Sequence, residues 1–308
     1  LNIKENTDFF ERYYFDWTGV EDFSEYQFDT NGIPLVNYGQ SIGLQYNPLT
    51  IAQFGLFNYN LFLEGNKSLQ TKVLSAADWL IHNVMNENHG TVWYYHFDLD
   101  FYKTRAPWIS AMAQGEAISL LLRAYSIAKK IRYLEVAENA ILPLMYPVAE
   151  GGLFSTFPDE TLCFEEFPSD PPSHVLNGFI FTIFGVLDYL KFFNNRRIGV
   201  LYQNALEGLK NNLNLYDTGY WTRYDLYPVS RLASRAYQKI HIQQLNILYI
   251  ITSDSIFKSY AEKWQRDYYN IWSNFRWGMI KVNEKIQLKS LSLKTDKSIS
   301  RTKSETCE

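Results

Sequence analysis

Four segments of the chain carry apolar residues at helical spacing on nearly every side: Leu49–Leu63, Ile109–Tyr125, His174–Leu190 and Ile240–Ile251. Their starts lie about 60 to 66 residues apart, which marks an internal repeat. Small residues such as Gly55, Ala113, Gly115, Gly178 and Gly185 fall within the first three, as suits buried helices packed closely on several sides. Between them run segments whose charges gather on one side: Leu69–Val84, Ile131–Tyr146, Ile198–Leu213 and Ser255–Ile271. The pattern predicts an inner and an outer helix in each repeat.

Each outer segment leads to a glycine and then to an aromatic, alternating stretch, at Gly90–Asp98, Gly151–Asp159 and Gly219–Asp225. The glycine suits a left-handed helix cap, and the alternation suits a short strand or hairpin. Helix pairs of this kind stack side by side, so that the long loops open on one face and collect the chemistry there. The expected fold is mainly α, an incomplete (α/α) toroid of about four helix pairs with short β-hairpins in the loops. A small N-terminal β-containing extension, residues 1–48, includes a tight turn at Asp29–Pro34 and covers one end of the toroid, which spans residues 49–280. Residues 281–308, rich in Lys, Ser and Thr, are expected to form a disordered tail.

Composition sharpens this picture. The 23 Tyr, 21 Phe and 8 Trp make 17% of the 308 residues aromatic, which suits either a tyrosine-rich core or a sugar-binding cleft in which rings stack on pyranose faces. The formal charge of −4 gives no global field for nucleic acid, so an acidic ligand needs a local basic cleft. No stretch is long and apolar enough for a membrane span, and two cysteines cannot build a disulfide framework. Phosphate loops, dinucleotide fingerprints and zinc spacings are absent, and the five histidines are widely spread, so neither cofactor nor metal is expected. The chemistry falls to Tyr, Glu and Arg.

Two loops stand out. Phe164–His174 holds adjacent glutamates, Glu165 and Glu166, between aromatic residues and prolines. There a carboxyl can be set in a cleft with a raised pKa, or can be an ordinary loop side chain. Tyr220–His241 interleaves Arg223, Arg231, Arg235, Lys239 and His241 with Tyr224, Tyr227 and Tyr237, as suits either a solvated charged loop or a site that holds a sugar carboxylate and depresses a phenol pKa.

Several runs resemble the glucuronyl C5-epimerases of heparan sulfate and heparin synthesis. They are Trp108–Tyr125, Phe164–Pro168 leading to Val175–Phe179, Leu215–Gly219 with Tyr224-Asp-Leu226, and Tyr237 followed by His241–Leu245. In order, they extend over roughly Tyr26 to Trp272. The resemblance implies an α/α toroid with a catalytic cleft in which Glu166, Tyr224 and Tyr237 are catalytic. Arg105, Glu165, Asn177, Arg223, Arg235 and His241 are the candidate substrate-binding residues around it, although a histidine at the head of an apolar helix, as His241 is, more often makes a structural hydrogen bond. The larger relatives carry a β-rich domain ahead of the toroid. Two positions depart from the pattern: Phe167 stands where the family has a tyrosine, and Tyr227 where it has an arginine.

The implied reaction inverts C5 of D-glucuronate to L-iduronate in a heparosan-like polysaccharide. It needs a base on one ring face, an acid on the other and a cation for the carboxylate. Tyr224 and Tyr237 are expected near the C5 hydrogen, Glu166 on the opposite side, and Arg235 or Arg223 on the carboxylate. A lyase shares the first step and then eliminates, and an impaired homologue would bind without turnover. A glycoside hydrolase fits less well, because one carboxylate loop is visible where two carboxylates are needed. An acidic polysaccharide is the expected partner, and a homodimer is compatible with the sequence. The small β-rich part points to a prokaryotic cytoplasmic setting, or to the Golgi lumen or secretion if a leader precedes Leu1.

Overall fold

The computed structural model describes residues 11–284 except 22 and 39's neighbour, residue 40. Eight helices in it form four successive pairs: α1 (Pro48–Leu63) with α2 (Gln70–His82), α3 (Ala111–Ala128) with α4 (Ile131–Ala140), α5 (Leu176–Phe192) with α6 (Arg196–Tyr216), and α7 (Arg235–Thr252) with α8 (Ser255–Tyr269). The odd-numbered helices form a continuous row, α1 on α3, α3 on α5 and α5 on α7, with their partners outside. The protein is mainly α, as expected. Glycine sets the tightest contact. A Cβ on Gly185 would lie 2.3 Å from the Cα of Gly115, so any larger residue pushes α3 and α5 apart.

Caps fix three of the inner helix starts. Asn47 accepts from the Thr50 N–H, Ser110 from that of Ala113 and Ser234 from that of Tyr237. The Ser234 cap starts α7 five residues before Ile240, where its apolar pattern begins, so Arg235, Tyr237 and Lys239 stand on a helix rather than in a loop. The outer helix expected to reach Tyr146 stops at Ala140, with a 3-10 turn over Leu142–Met145, because Pro143 has no N–H to continue the ladder. A helix over residues 271–284 follows α8. It is tied back by Trp277, whose indole donates to the Ala233 carbonyl at 2.9 Å, and by Glu284, which accepts from the Leu232 N–H at 2.8 Å. The expected tail therefore begins in this helix at 281, and from 285 onward it lies outside the described residues.

Hairpins fill two of the loops, β4 (Met85–Glu87) with β5 (Gly90–Val92) and β6 (Phe154–Thr156) with β7 (Leu162–Phe164). The third aromatic stretch makes isolated bridges, Asp217 to Thr222 and Arg223 to Leu232. Gly151 caps a 3-10 turn in the left-handed region, whereas Gly90 opens a strand instead of capping α2, which ends at His82 with Asn83 as its cap. The N-terminal part is a meander of β1 (Gln27–Phe28), β2 (Pro34–Asn37) and β3 (Leu44–Tyr46), and Asp29 closes its first turn by accepting from the N–H groups of Asn31 and Ile33. Ahead of it Tyr13, Phe15 and Trp17 sink into the core, with Trp17 stacked on Phe181 of α5. Among the described residues no helix is long and apolar enough to cross a membrane.

Candidate active site

The N-terminal ends of all four inner helices border one cavity of about 380 Å³: the cap Asn47 with Leu49 and Thr50 of α1, the cap Ser110 with Met112 of α3, Asn177 of α5, and Ala236 and Tyr237 of α7. Four positive helix ends pointing into one space favour an anionic occupant. Aromatic rings make up much of the remaining wall, including Tyr38, Tyr95, Phe97 and Trp108.

Glu166, Tyr224 and Tyr237 all line this cavity, as does Asn177. Glu166 follows β7 and is only 6% exposed, and its Oε2 has no hydrogen-bond partner among the described residues. Burial pushes its carboxyl up to about 8, against the pull of Arg231 and with help from Asp225 and Glu165. The side chain fits because α5 offers Gly178 there; a Cβ at that position would lie 2.5 Å from Glu166 Oε2.

Glu165 has the opposite fate. Its side chain turns away from the cavity and accepts from Ser155 Oγ at 2.5 Å, Ser173 Oγ at 2.7 Å and the His174 N–H at 2.9 Å, with His174 Nδ1 at 2.8 Å. Burial works to raise it, but His174 and the serine hydroxyls hold it below the usual carboxylate range. In this arrangement it clamps the loop and does not line the cavity. Cys163, Glu165 and His174 are the described side chains closest to a metal set, within 4.8 Å of one another, and protein donors already occupy both Glu165 oxygens.

The two phenols pack edge to face with centroids 4.7 Å apart. Burial pushes Tyr237 up to about 12 and Tyr224 well above its ordinary value, and the nearby Glu166 adds to both shifts. A depressed phenol is one of the two readings the basic segment allows; Arg231 does pull both phenols down, but desolvation outweighs it.

The other expected ligands are absent from the cavity wall. Arg105 is exposed and paired with Asp98 at 2.8 Å and Asp100 at 2.9 Å. Arg223 donates to Ser230, and Arg235 donates to Asn274 while lying over the Tyr268 ring. His241 is fully buried against the Thr222 hydroxyl at 2.9 Å, and burial lowers it to about 3, so it is a neutral core side chain. Two features lie outside the set of expected site residues. Glu21 and Tyr26, joined by a 2.8 Å hydrogen bond, bring a second carboxylate to the wall from the N-terminal segment. Arg231 stands beside Tyr224, with its guanidinium 4.9 Å from the ring centroid. In the sequence it is marked only as one member of the basic run.

A sequence model of the D-glucuronyl C5-epimerase C-terminus matches residues 86–266, more than half of the chain. The chain belongs to this family. It is 32% identical over 209 residues to the D-glucuronyl C5-epimerase of Caenorhabditis elegans, an alignment that covers 62% of this chain and 34% of the worm protein. It is also 32% identical over 177 residues to the uncharacterized protein MJ1128 of Methanocaldococcus jannaschii, covering 56% of this chain and 57% of that one. The chain thus spans less than two thirds of the length of these curated relatives. The matched region contains Glu166, Tyr224 and Tyr237 but not Glu21, Tyr26 or Tyr38.

Proposed function

We propose that this cavity epimerises C5 of D-glucuronate units in a heparosan-like polysaccharide, with Glu166 and the Tyr224–Tyr237 pair exchanging protons with the substrate. The observation that carries the reading is the meeting of an unpaired buried carboxyl and two half-buried phenols on the wall of one cavity. Inversion requires one deprotonated and one protonated group around C5. Glu166, at about 8, gives up its proton far more readily than Tyr237, at about 12, so the carboxylate is the base and a phenol the donor in the forward direction. The base takes the C5 hydrogen as a proton, the electron pair moves into the carboxylate as an enolate dianion, and the phenol protonates C5 from the other side. The protons return to their original groups through solvent. The converging helix ends favour the extra negative charge.

The phenol of the usual glutamate-tyrosine pair is missing, because Phe167 cannot carry a proton; its ring lines the cavity as an apolar wall. Tyr224 and Tyr237 remain as the phenols beside Glu166.

Incubation with heparosan in heavy water tests the proposal. Deuterium should enter C5 with no ultraviolet-absorbing unsaturated uronate. An unsaturated product would make the protein a lyase, and binding without exchange would make it a polysaccharide-binding homologue.

A further inference from the structure

Among the described residues that line the cavity none is lysine or arginine, so its wall lacks the cation that a uronate carboxylate calls for. A second space of about 330 Å³ adjoins it, sharing Phe167, Tyr224 and Tyr237 as common walls, and this one contains Arg231 and Lys281. The two cations differ. Lys281 is held by Glu284 at 2.6 Å and donates to the Leu232 carbonyl.

Arg231 is prepared on one side and open on the other. Its Nε donates to Asp225 Oδ2 at 3.2 Å, and Nη2 donates to the same oxygen and to the Tyr102 hydroxyl. Tyr102 in turn donates to Asp225 at 2.6 Å. The guanidinium also lies 4.0 Å from the centroid of Phe101. Among the described residues nothing accepts from Nη1, and the side chain is 24% exposed. A planar fork fixed along one edge by a carboxylate and seated on rings loses little freedom when its other edge meets an anion.

Tyr227, at the position where the family places an arginine, is buried edge-on against Tyr102 with centroids 5.2 Å apart and packs on Phe101 at 5.6 Å. It supports the ring floor from which Arg231, four residues later, reaches back toward Tyr224.

We propose that Arg231 binds the C6 carboxylate of the uronate, reached past Tyr224 and Tyr237, so that the substrate bridges the cavity and the groove and the missing family cation is supplied from a different position. This inference rests on the proposed function for the identity of the ligand. Its role is to select a charged uronate over its neutral counterpart and to hold the enolate as it forms.

The test compares a heparosan oligosaccharide with the same oligosaccharide after reduction of its carboxyls to alcohols, by titration calorimetry and by C5 deuterium exchange. The wild type should bind the charged ligand at least tenfold more tightly. Arg231→Gln should erase that preference and lower exchange on the charged ligand at least a hundredfold, and Arg231→Lys should keep part of both. Because Asp225 is buried, the double variant Arg231→Gln/Asp225→Asn removes both charges together, and thermal melting confirms that it is folded; it too should bind both ligands equally. An unchanged preference in a folded glutamine variant overturns the proposal, as does a wild type that binds both ligands equally. Wild-type preference that depends on Arg231, without any exchange, would leave the subsite standing and remove the epimerase reading.

Discussion

Two regions take ionisable groups out of water and resolve the cost in opposite ways. Between α3 and α5, Arg123 and Asp188 are both fully buried and pair at 2.5 Å, with Tyr14 donating to Asp188 at 2.7 Å and the Tyr13 ring 5.1 Å from the guanidinium. Burial works to lower the Arg123 pKa, and Asp188 more than offsets it, so the arginine stays charged. In the cavity, Glu166 has no such partner and instead holds its proton to about 8. A buried charge with a partner serves the fold, whereas a buried carboxyl without one is available for proton transfer.

Glu166→Gln should sharpen the contrast most, lowering C5 exchange by about 10²–10⁴-fold. In the wild type the rate should rise with pH and level off above about 8 as the carboxylate forms. Stability should respond in the other direction. A folded-state pKa raised from 4.5 to about 8 favours the fold below 4.5, and that contribution is lost as pH rises toward 8. The glutamine variant should therefore gain on the wild type in melting temperature across this range. A variant that is equally active, or that loses stability relative to the wild type as pH rises, would break the assignment. Asp188→Asn should instead cost about 3–5 kcal/mol in urea unfolding by leaving Arg123 without its countercharge, with C5 exchange per folded molecule preserved. Gly178→Ala tests the space for Glu166. It should reduce exchange by about 10²-fold through displacement of the carboxylate, with the fold retained in circular dichroism. The smallest change is expected for Ser234→Ala. Loss of the α7 cap should cost about 1 kcal/mol and raise KM modestly, because Tyr237 stands in that first turn.

Much of the fold was legible because apolar spacing is local. The inner helices α1, α3 and α5 were expected within two residues of their observed starts, from continuous apolar faces. The start of α7 was hidden because its first turn, Arg235 to Lys239, is polar, and only the Ser234 hydrogen bond reveals it. At the site, Glu166, Tyr224 and Tyr237 were named from family motifs, and the structure gathers them. Arg223, Arg235 and His241 share the same basic run as Arg231, but composition carries no direction, and bridges and helix phase turn them elsewhere. Just past the end of β7, Glu165 is drawn to Ser173 and His174 while Glu166 lines the cavity, which separates neighbours that look equivalent as letters.

The wall formed by Trp17, Glu21, Tyr26 and Tyr38 lies upstream of the first helix pair and outside the segment that defines the family. A protein trimmed to residues 86–266 would keep Glu166, Tyr224 and Tyr237 yet lose both that wall and α1. Glu166 would then meet bulk water, return toward an ordinary carboxylic acid, and forfeit the reactivity that enclosure confers.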